Sequence, residues 1–352
     1  MRMKMTRKIH PKTSSQGYWR WLRGLLWLIV TSYTLAIVAW YSSFCLFGDR
    51  VWFLAMVNAF ALYLFAPLPA ILLGAALLRR RTAWGIVLIP TLLFLSLFGA
   101  DLLPPLPIVY AYLADGPAVT VMTYNVLYTN TDAEPIAATV TDIAPDVIAF
   151  QELTPSLAQQ LVEQVGARYP YRTPLHSVCH AEVAIWSRFP LREEPVDQEI
   201  LCRVRSGVLE IEGRQVRLVA VHAWPYTGLD RASIEQSFQW RHDQTAWILS
   251  HFVSQPEPII VLGDLNSTPT HQVYQMFVAE LNDAFREAGW GWGHTFPASG
   301  GWARGIPYPS RLVRIDHIFY SDDWLAEAAW VGAWDGASDH RPVIARLRMR
   351  SR

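Results

Sequence analysis

Two patterning rules operate along this chain. Residues 25–47, 51–78 and 83–100 contain no charged side chain. None of the three runs has the polar face that a helix at the surface of a soluble core keeps. About 20 apolar residues suffice to cross a bilayer, so the runs predict transmembrane helices at about 25–47, 51–78 and 83–103. A cleaved leader would account for one such run, not three. Asn58, Pro67 and Pro69 interrupt the second run and predict a kink or irregularity there.

From residue 118 onward the period shortens and mixes. Alternation and β-forming residues predict strands at 119–126, 146–150, 182–187, 208–211, 216–221, 258–262, 312–320 and 343–349. Helical spacing predicts helices at 135–143, 233–252 and 273–288, and Thr154 is placed to cap another that runs to about Gly166. Strands in runs with helices between some of them indicate layered α/β packing. The stretch 290–311 holds Trp290, Trp292, Phe296, Trp302 and Tyr308 among glycines and prolines. It is too punctuated for one regular element. It predicts a loop that rims a site, meets lipid headgroups or packs on its own aromatics. The chain thus divides into a basic segment 1–24, three helices within 25–103, a Pro-rich linker 104–117 and a domain 118–352.

Charge orients this arrangement. Arg2, Lys4, Arg7, Lys8, Lys12, Arg20 and Arg23 precede the first run, Arg79, Arg80 and Arg81 separate the second from the third, and only Arg50, offset by Asp49, separates the first from the second. The positive-inside rule puts the N-terminus and the triple-Arg loop in the cytoplasm, and therefore the large domain on the outer side of the cell (inner) membrane. After residue 103 the chain carries 28 acidic residues against 19 arginines and no lysine, a formal balance of −9. That weighs against a broad electrostatic grip on nucleic acid. Cys45 lies in the first run; Cys179 and Cys202 lie in the outer domain, either as a disulfide or as two separate buried thiols.

Chemistry gathers at the predicted strand ends. VLGDLN places Asp264 and Asn266 two residues apart, on one face of an extended chain. Alone, Gly, Asp and Asn there read as a turn. TYNV, however, ends another strand with Asn125, AFQEL ends one with Glu152, and VAVHAWP ends one with His222. RIDH contributes Asp316 and His317, and GASDH contributes Asp339 and His340. Six such ends are hard to explain as packing, because a buried charge is costly unless paired or bound to metal.

These six segments, in this order, resemble the endonuclease/exonuclease/phosphatase (DNase I-like) superfamily over roughly residue 118 to the C-terminus. The resemblance implies a four-layer α/β/β/α sandwich with its site on loops at one edge of the sheets. It implies that Glu152 is the main Mg²⁺ ligand, with Mn²⁺ as an alternative ion, and that Asn125 helps to place metal and phosphate. Asp264 and Asn266 resemble the pair that orients the attacking water and a phosphate oxygen. His340 resembles the family's essential histidine, a general base or a stabiliser of the phosphorane. Asp316 resembles the carboxylate paired with it, and Asp339 the acid beside it, near the metal. His222 resembles the second histidine of the nuclease and sphingomyelinase branches, a candidate acid for the leaving group. His317 is expected to pack locally, and the AIWSRFP segment to be structural.

The residue types suit the chemistry. Mg²⁺ takes oxygen ligands, keeps several waters and neutralises phosphoryl charge. A histidine moves a proton, and a carboxylate behind it fixes its tautomer. Three spans followed by this domain resemble a bacterial membrane subgroup associated with teicoplanin resistance, thought to act on undecaprenyl pyrophosphate. Tethering beside a bilayer favours a lipid-linked phosphate through local concentration. The expected partners are therefore the lipid bilayer and a lipid-linked or other phosphoester, with nucleic acid as a lesser expectation. Arg304, Arg311 and Arg314 are candidates for meeting a diphosphate, or are solvated or structural arginines. An outward-facing Mg²⁺-dependent nuclease and a catalytically silent membrane scaffold or sensor remain as alternative readings.

Overall fold

The computed structural model describes residues 14–105, 116–228, 230–303 and 305–350. The basic residues before position 14, most of the predicted linker and Arg304 lie outside the described residues. The chain forms two compact units, one made of residues up to 46 together with 61–99, the other of 47–60 together with 100–352.

The first unit is helical. It contains α1 (Ser14–Phe47), a 3-10 turn (Ala61–Phe65), α3 (Leu68–Leu78) and α4 (Arg81–Leu102), with α2 (Trp52–Ala59) lying between α1 and the turn in the sequence. Val30, Ile71, Ala75, Leu78, Ala83 and Val87 pack inward, and Phe65 meets Trp40, Phe94 and Phe98. Leu28, Leu35, Leu73, Leu77, Leu88 and Leu92 remain exposed on the outside. A helix bundle apolar within and without suits a bilayer. Gly17–Phe47, Ala61–Leu78 and Arg81–Leu102 are long and apolar enough to cross a membrane.

The second apolar run differs from its predicted form. It divides at Phe60, and its first part, α2, belongs to the other unit. Pro67 and Pro69 then confine the regular helix to Leu68–Leu78. The polar groups of Asp49 and Asn58 explain the division: both are buried and hydrogen-bonded to each other, Asn58 Nδ2 donating to Asp49 Oδ1 at 2.7 Å.

The second unit is a sandwich of two six-stranded sheets. One sheet contains, in spatial order, β13 (Trp324–Val331), β14 (Val343–Met349), β1 (Ala118–Asn125), β2 (Val147–Leu153), β4 (Glu182–Ser187) and β3 (Tyr171–Arg172). The other contains β5 (Leu191–Glu194), β6 (Val204–Ile211), β7 (Arg214–His222), β8 (Ile259–Asp264), β12 (Asp316–Tyr320) and β9 (Asn282–Asp283). Alternation decides which side chains meet. Val119, Val121, Val147 and Ala149 face Leu218, Ala220, Ile260 and Leu262 across the sandwich. Their neighbours Met122, Tyr124, Ile148 and Phe150 point outward, onto α5 (Glu134–Ile143) and α6 (Pro155–Val165). Val219, Val221, Val261 and Phe319 pack with residues of α7 (Arg231–Ile248) and α8 (Gln272–Val278). The four-layer α/β/β/α sandwich is therefore present, preceded by three long apolar helices.

Three local departures have clear causes. The helix expected over 273–288 is two, α8 and α9 (Ala284–Ala288), separated by β9. Asp283 ends the first by capping the second, accepting from the backbone N–H groups of Phe285 and Arg286. The edge strands β5 and β13 carry no strand pattern, since WLAEAAWV and LREE are rich in helix-favouring residues that pairing overrides. Within 290–311 the chain forms a hairpin of β10 (Gly301–Ala303) and β11 (Ile306–Tyr308), with Trp302 and Ile306 exposed.

Candidate active site

Strand register assembles half of the site without help from loops. His222 at the end of β7 pairs with Asp264 at the end of parallel β8, and Asp316 at the start of antiparallel β12 pairs with the same Asp264. The three side chains thus stand side by side at one sheet edge, all buried. Gly263 permits the close fit: a Cβ there would lie 1.8 Å from the carbonyl oxygen of Val221 on β7.

The other sheet uses distorted backbone. Asn125 ends β1, paired with Gln151 on β2. The register of β2 slips between Phe150 and Leu153, and Glu152 within the bulge adopts φ +60°. A bulge re-aims a side chain. Here the carboxylate meets Asn125, whose Nδ2 donates to Glu152 Oε1 and to Asp264 Oδ2, each at 3.1 Å. Tyr128 N–H donates to Glu152 Oε2 at 2.9 Å. Ser338 ties in the last segment, its hydroxyl donating to the Asn125 carbonyl at 2.6 Å and accepting from His340 N–H at 3.0 Å.

His340 bridges the two halves. Its Nδ1 lies 2.9 Å from Asp316 Oδ2 and its Nε2 3.7 Å from Asp264 Oδ2. Its ring meets Phe296 with centroids 4.9 Å apart. Burial pushes the imidazole down, but Asp316 and Asp264 outweigh it and lift His340 to about 10. His340 is therefore an imidazolium at neutral pH, with Nδ1–H donated to Asp316. Burial raises Asp264 to about 7, against the pull of His340. Burial likewise raises Asp339, which is half-buried, with Glu152 adding to the rise.

His222 differs. Burial, the neighbouring Arg203 and the His340 charge hold it well below the usual histidine range. Arg203 Nη1 lies 3.5 Å from His222 Nδ1, which makes Nδ1 the acceptor and places the proton on Nε2. Nε2 sits 3.6 Å from Glu152 Oε1 and 3.8 Å from Asp264 Oδ2, beyond hydrogen-bond length. The histidine expected as an acid for a leaving group is here a neutral imidazole, because it is buried and a guanidinium stands behind it.

Asn266 follows Asp264 in the left-handed region at φ +47°. Its N–H donates to Asp264 Oδ1 at 2.8 Å and its Nδ2 to the Ala223 carbonyl at 3.0 Å. These two bonds fix both the backbone and the side-chain amide of Asn266. His317 points elsewhere, with Nε2 on Ser267 O at 3.0 Å and its ring stacked on Phe319.

Of the candidate substrate arginines, Arg304 lies outside the described residues, and the other two differ in their surroundings. Arg314 is buried and bonded to Asp283 at 2.9 Å, with Phe285 and Tyr274 over its guanidinium. That arginine is structural, because its charge is spent on a buried partner. Arg311 is exposed, its N–H donating to Pro297 O. Arg203 stands beside His222 and is stacked 4.1 Å from the Trp224 ring. It adjoins Cys202, which is disulfide-bonded to Cys179 with Cα atoms 5.6 Å apart. A lone arginine in a sequence carries no sign of this; the neighbouring cysteine and the tryptophan two residues after His222 were the available traces.

Two groupings are able to hold a cation. Asp264, Asp316 and His340 each offer one atom within 4.8 Å of the others. Glu152 and Asp264 also share the Asn125 amide. The second suits a hard divalent ion better. Glu152 is half-buried and offers carboxylate oxygens, whereas His340 and Asp316 of the first are bonded to each other. Asp339 is near enough to Glu152 for that charge to act on it.

Two sheets face to face, with carboxylates, an amide and imidazoles meeting at one edge, define a phosphoester-hydrolase type of fold and site. The model of the Endonuclease/Exonuclease/phosphatase family matches residues 122–340. The chain belongs to that family, whose members are generally hydrolases of phosphoester bonds and whose fold typically uses divalent metals. Solved structures agree at the level of fold. A family protein from Bacteroides thetaiotaomicron superposes with TM-score 0.52 at 17% identity, covering 67% of this chain and 100% of that one. A 3′ phosphatase from Neisseria, bound to a product DNA hairpin, gives TM-score 0.51 at 20% identity, covering 64% and 98%. A comparison with curated proteins finds no match.

Proposed function

We propose that this protein is a membrane-anchored, Mg²⁺-dependent phosphoesterase with an extracytoplasmic site, acting on a lipid-borne phosphate ester or diphosphate. One observation carries the reading: Asp264 is shared by Asn125, His222 and His340 in a chain that also has three helices able to cross a membrane. The Cys179–Cys202 disulfide supports the outward orientation, since such bonds persist in oxidising compartments. The resemblance to the teicoplanin-resistance membrane subgroup supports a polyprenyl diphosphate in particular.

Glu152, with Asn125, Asp264 and Asp339 near it, would hold the cation; bound there, Mg²⁺ neutralises phosphoryl charge. Asp264, ionised above about pH 7, accepts the proton of the attacking water. Asn266 orients that water or a phosphoryl oxygen. The His340 imidazolium donates to the phosphoryl oxygens as charge builds on them. His222 donates from Nε2 as a neutral group, which is weak assistance for an alkoxide. A diphosphate leaves as a phosphate oxygen and needs less proton assistance. The neutral state of His222 therefore favours a phosphoanhydride over a simple lipid ester.

The test is phosphate release by the full chain in detergent from a polyprenyl diphosphate, a phospholipid and DNA, each with Mg²⁺ and with EDTA. Mg²⁺-dependent release from a lipid is expected. DNA cleavage without lipid phosphate release would convert the assignment to a nuclease. Inactivity on all three, with Glu152→Gln and His340→Ala leaving every cellular phenotype unchanged, would favour a silent scaffold.

A further inference from the structure

The segment that joins the first and second apolar helices is built into the loop that carries Asn266. Within the catalytic unit, Asp49 accepts the backbone N–H of Gln272 and the side-chain amide of Asn58. The Asn58 carbonyl accepts from the Thr270 hydroxyl at 2.6 Å, and the Ala55 carbonyl lies 3.0 Å from His271 Nε2. His271 Nδ1 in turn accepts the Thr268 N–H at 2.9 Å. That acceptor role fixes the tautomer: the ring proton sits on Nε2 and is donated to Ala55. The imidazole thus links the backbone of α2 to the turn beginning two residues after Asn266.

A second contact reaches Asn266 itself. Arg241 on α7 donates to the Asn266 carbonyl and to Ser237 O. Its guanidinium lies over the rings of Phe238 and Tyr226, at 4.3 and 4.5 Å. Phe238, with Ile234, forms one apolar cluster with Ala55, against which Tyr226 and Met56 pack. Asp49, Asn58, Thr270, His271 and Arg241 are all buried. Asp49 and Asn58 bond to each other, and Thr270, His271 and Arg241 each bond to backbone of α2 or of the Asn266 loop; a buried polar group costs stability when left unpaired.

We infer that Asp49–Asn58 is a positioning segment for catalysis: it holds the 264–271 loop so that Asn266 keeps its left-handed conformation and its aim. The role rests on the phosphoester reading of the site. The segment follows α1 and precedes the 3-10 turn in the sequence.

The experiment uses the full chain in detergent, with Asp49→Ala, the milder Thr270→Val, Asn266→Ala, and Asp49→Ala combined with Asn266→Ala. The substrate is bis-p-nitrophenyl phosphate, a soluble ester, at saturating Mg²⁺. Misplacement of a reacting group from a distance costs up to about 100-fold, so Asp49→Ala should lower kcat about 10- to 100-fold with KM and Mg²⁺ affinity little changed. In the Asn266→Ala background the same substitution should have almost no further effect. An equal loss in both backgrounds would mean a purely structural role and overturn the inference. Hydrogen exchange supplies a readout independent of activity: in both Asp49→Ala and Thr270→Val, protection of amides 266–271 should fall at least about tenfold while β1 is unaffected. Unchanged protection there would also overturn it. A wild-type chain that hydrolyses no phosphoester would sink the functional reading, and the exchange result would still decide the coupling.

Discussion

The two sheets reach the same site by opposite means. In one, His222, Asp264 and Asp316 meet through straight strand pairing, and all three are buried. In the other, Glu152 stands on a bulge with positive φ and His340 on a loop tied down by Ser338, while Glu152 and Asp339 stay half-buried. The difference sorts the chemistry. Burial in regular register shifts Asp264 upward and His222 downward, while Asp316 and Asp264 lift His340 on its loop against burial. Half-solvated groups on irregular backbone keep room for water and an ion. The proposed function divides proton handling and cation binding between the sheets, with His340 linking them.

The division can be broken most severely at the link. His340→Ala should reduce turnover by about 10²–10⁴-fold, the usual range for a proton-handling or charge-stabilising side chain. Steady-state kinetics at saturating Mg²⁺ will show whether the loss sits in kcat; a change in KM alone would place His340 outside the chemistry. Glu152→Gln tests the solvated half. Its main effect should be on metal affinity, with the Mg²⁺ needed for half-maximal rate rising by about tenfold or more and activity returning at high Mg²⁺. If kcat instead falls with an unaltered Mg²⁺ requirement, the cation belongs to the Asp264, Asp316 and His340 group.

Asp316→Asn sharpens the comparison through protonation. His340 is raised above its ordinary value, so its charged form persists through neutrality and is lost as pH rises through about 10. Removing Asp316 takes away the largest of the charges that raise it, and the titration should move downward. NMR of the His340 ring in EDTA-treated protein reads this directly; a midpoint that stays put would mean Asp316 does not hold the proton. Ser338→Ala has the smallest effect. It removes the acceptor of the buried His340 N–H, a loss of about 1–3 kcal/mol, visible as a lower melting temperature. An unaltered melting temperature would show that the tie between β1 and the His340 loop carries no load.

Legibility followed the same division. The strands that deliver Asn125, His222, Asp264 and Asp316 are largely apolar runs with a polar residue at one end, which a period-of-two reading detects. The edge strands β5 and β13 escaped it because their residues favour helix and their pairing is decided by neighbours far along the chain. Arg203 escaped for another reason. Its place beside His222 depends on β6 pairing with β7, on the Trp224 ring and on a disulfide to a residue 23 positions away. For Arg314 the sequence left a substrate contact and a structural role open, and nothing local reveals that Asp283 claims its charge. Residues 51–59 read as the start of a membrane run because their composition is apolar, yet Asp49 and Asn58 have buried partners that only the folded domain supplies.

The sequence by itself determined the three apolar helices, the layered α/β domain, and the acids, amides and imidazoles at its strand ends, because period, charge and turn chemistry are local properties. Only the tertiary structure decided which of these groups share a proton, which arginine joins them, and that a stretch between two apolar helices braces the Asn266 loop. Those outcomes depend on burial and on distances between residues remote in the chain, and no local pattern encodes either.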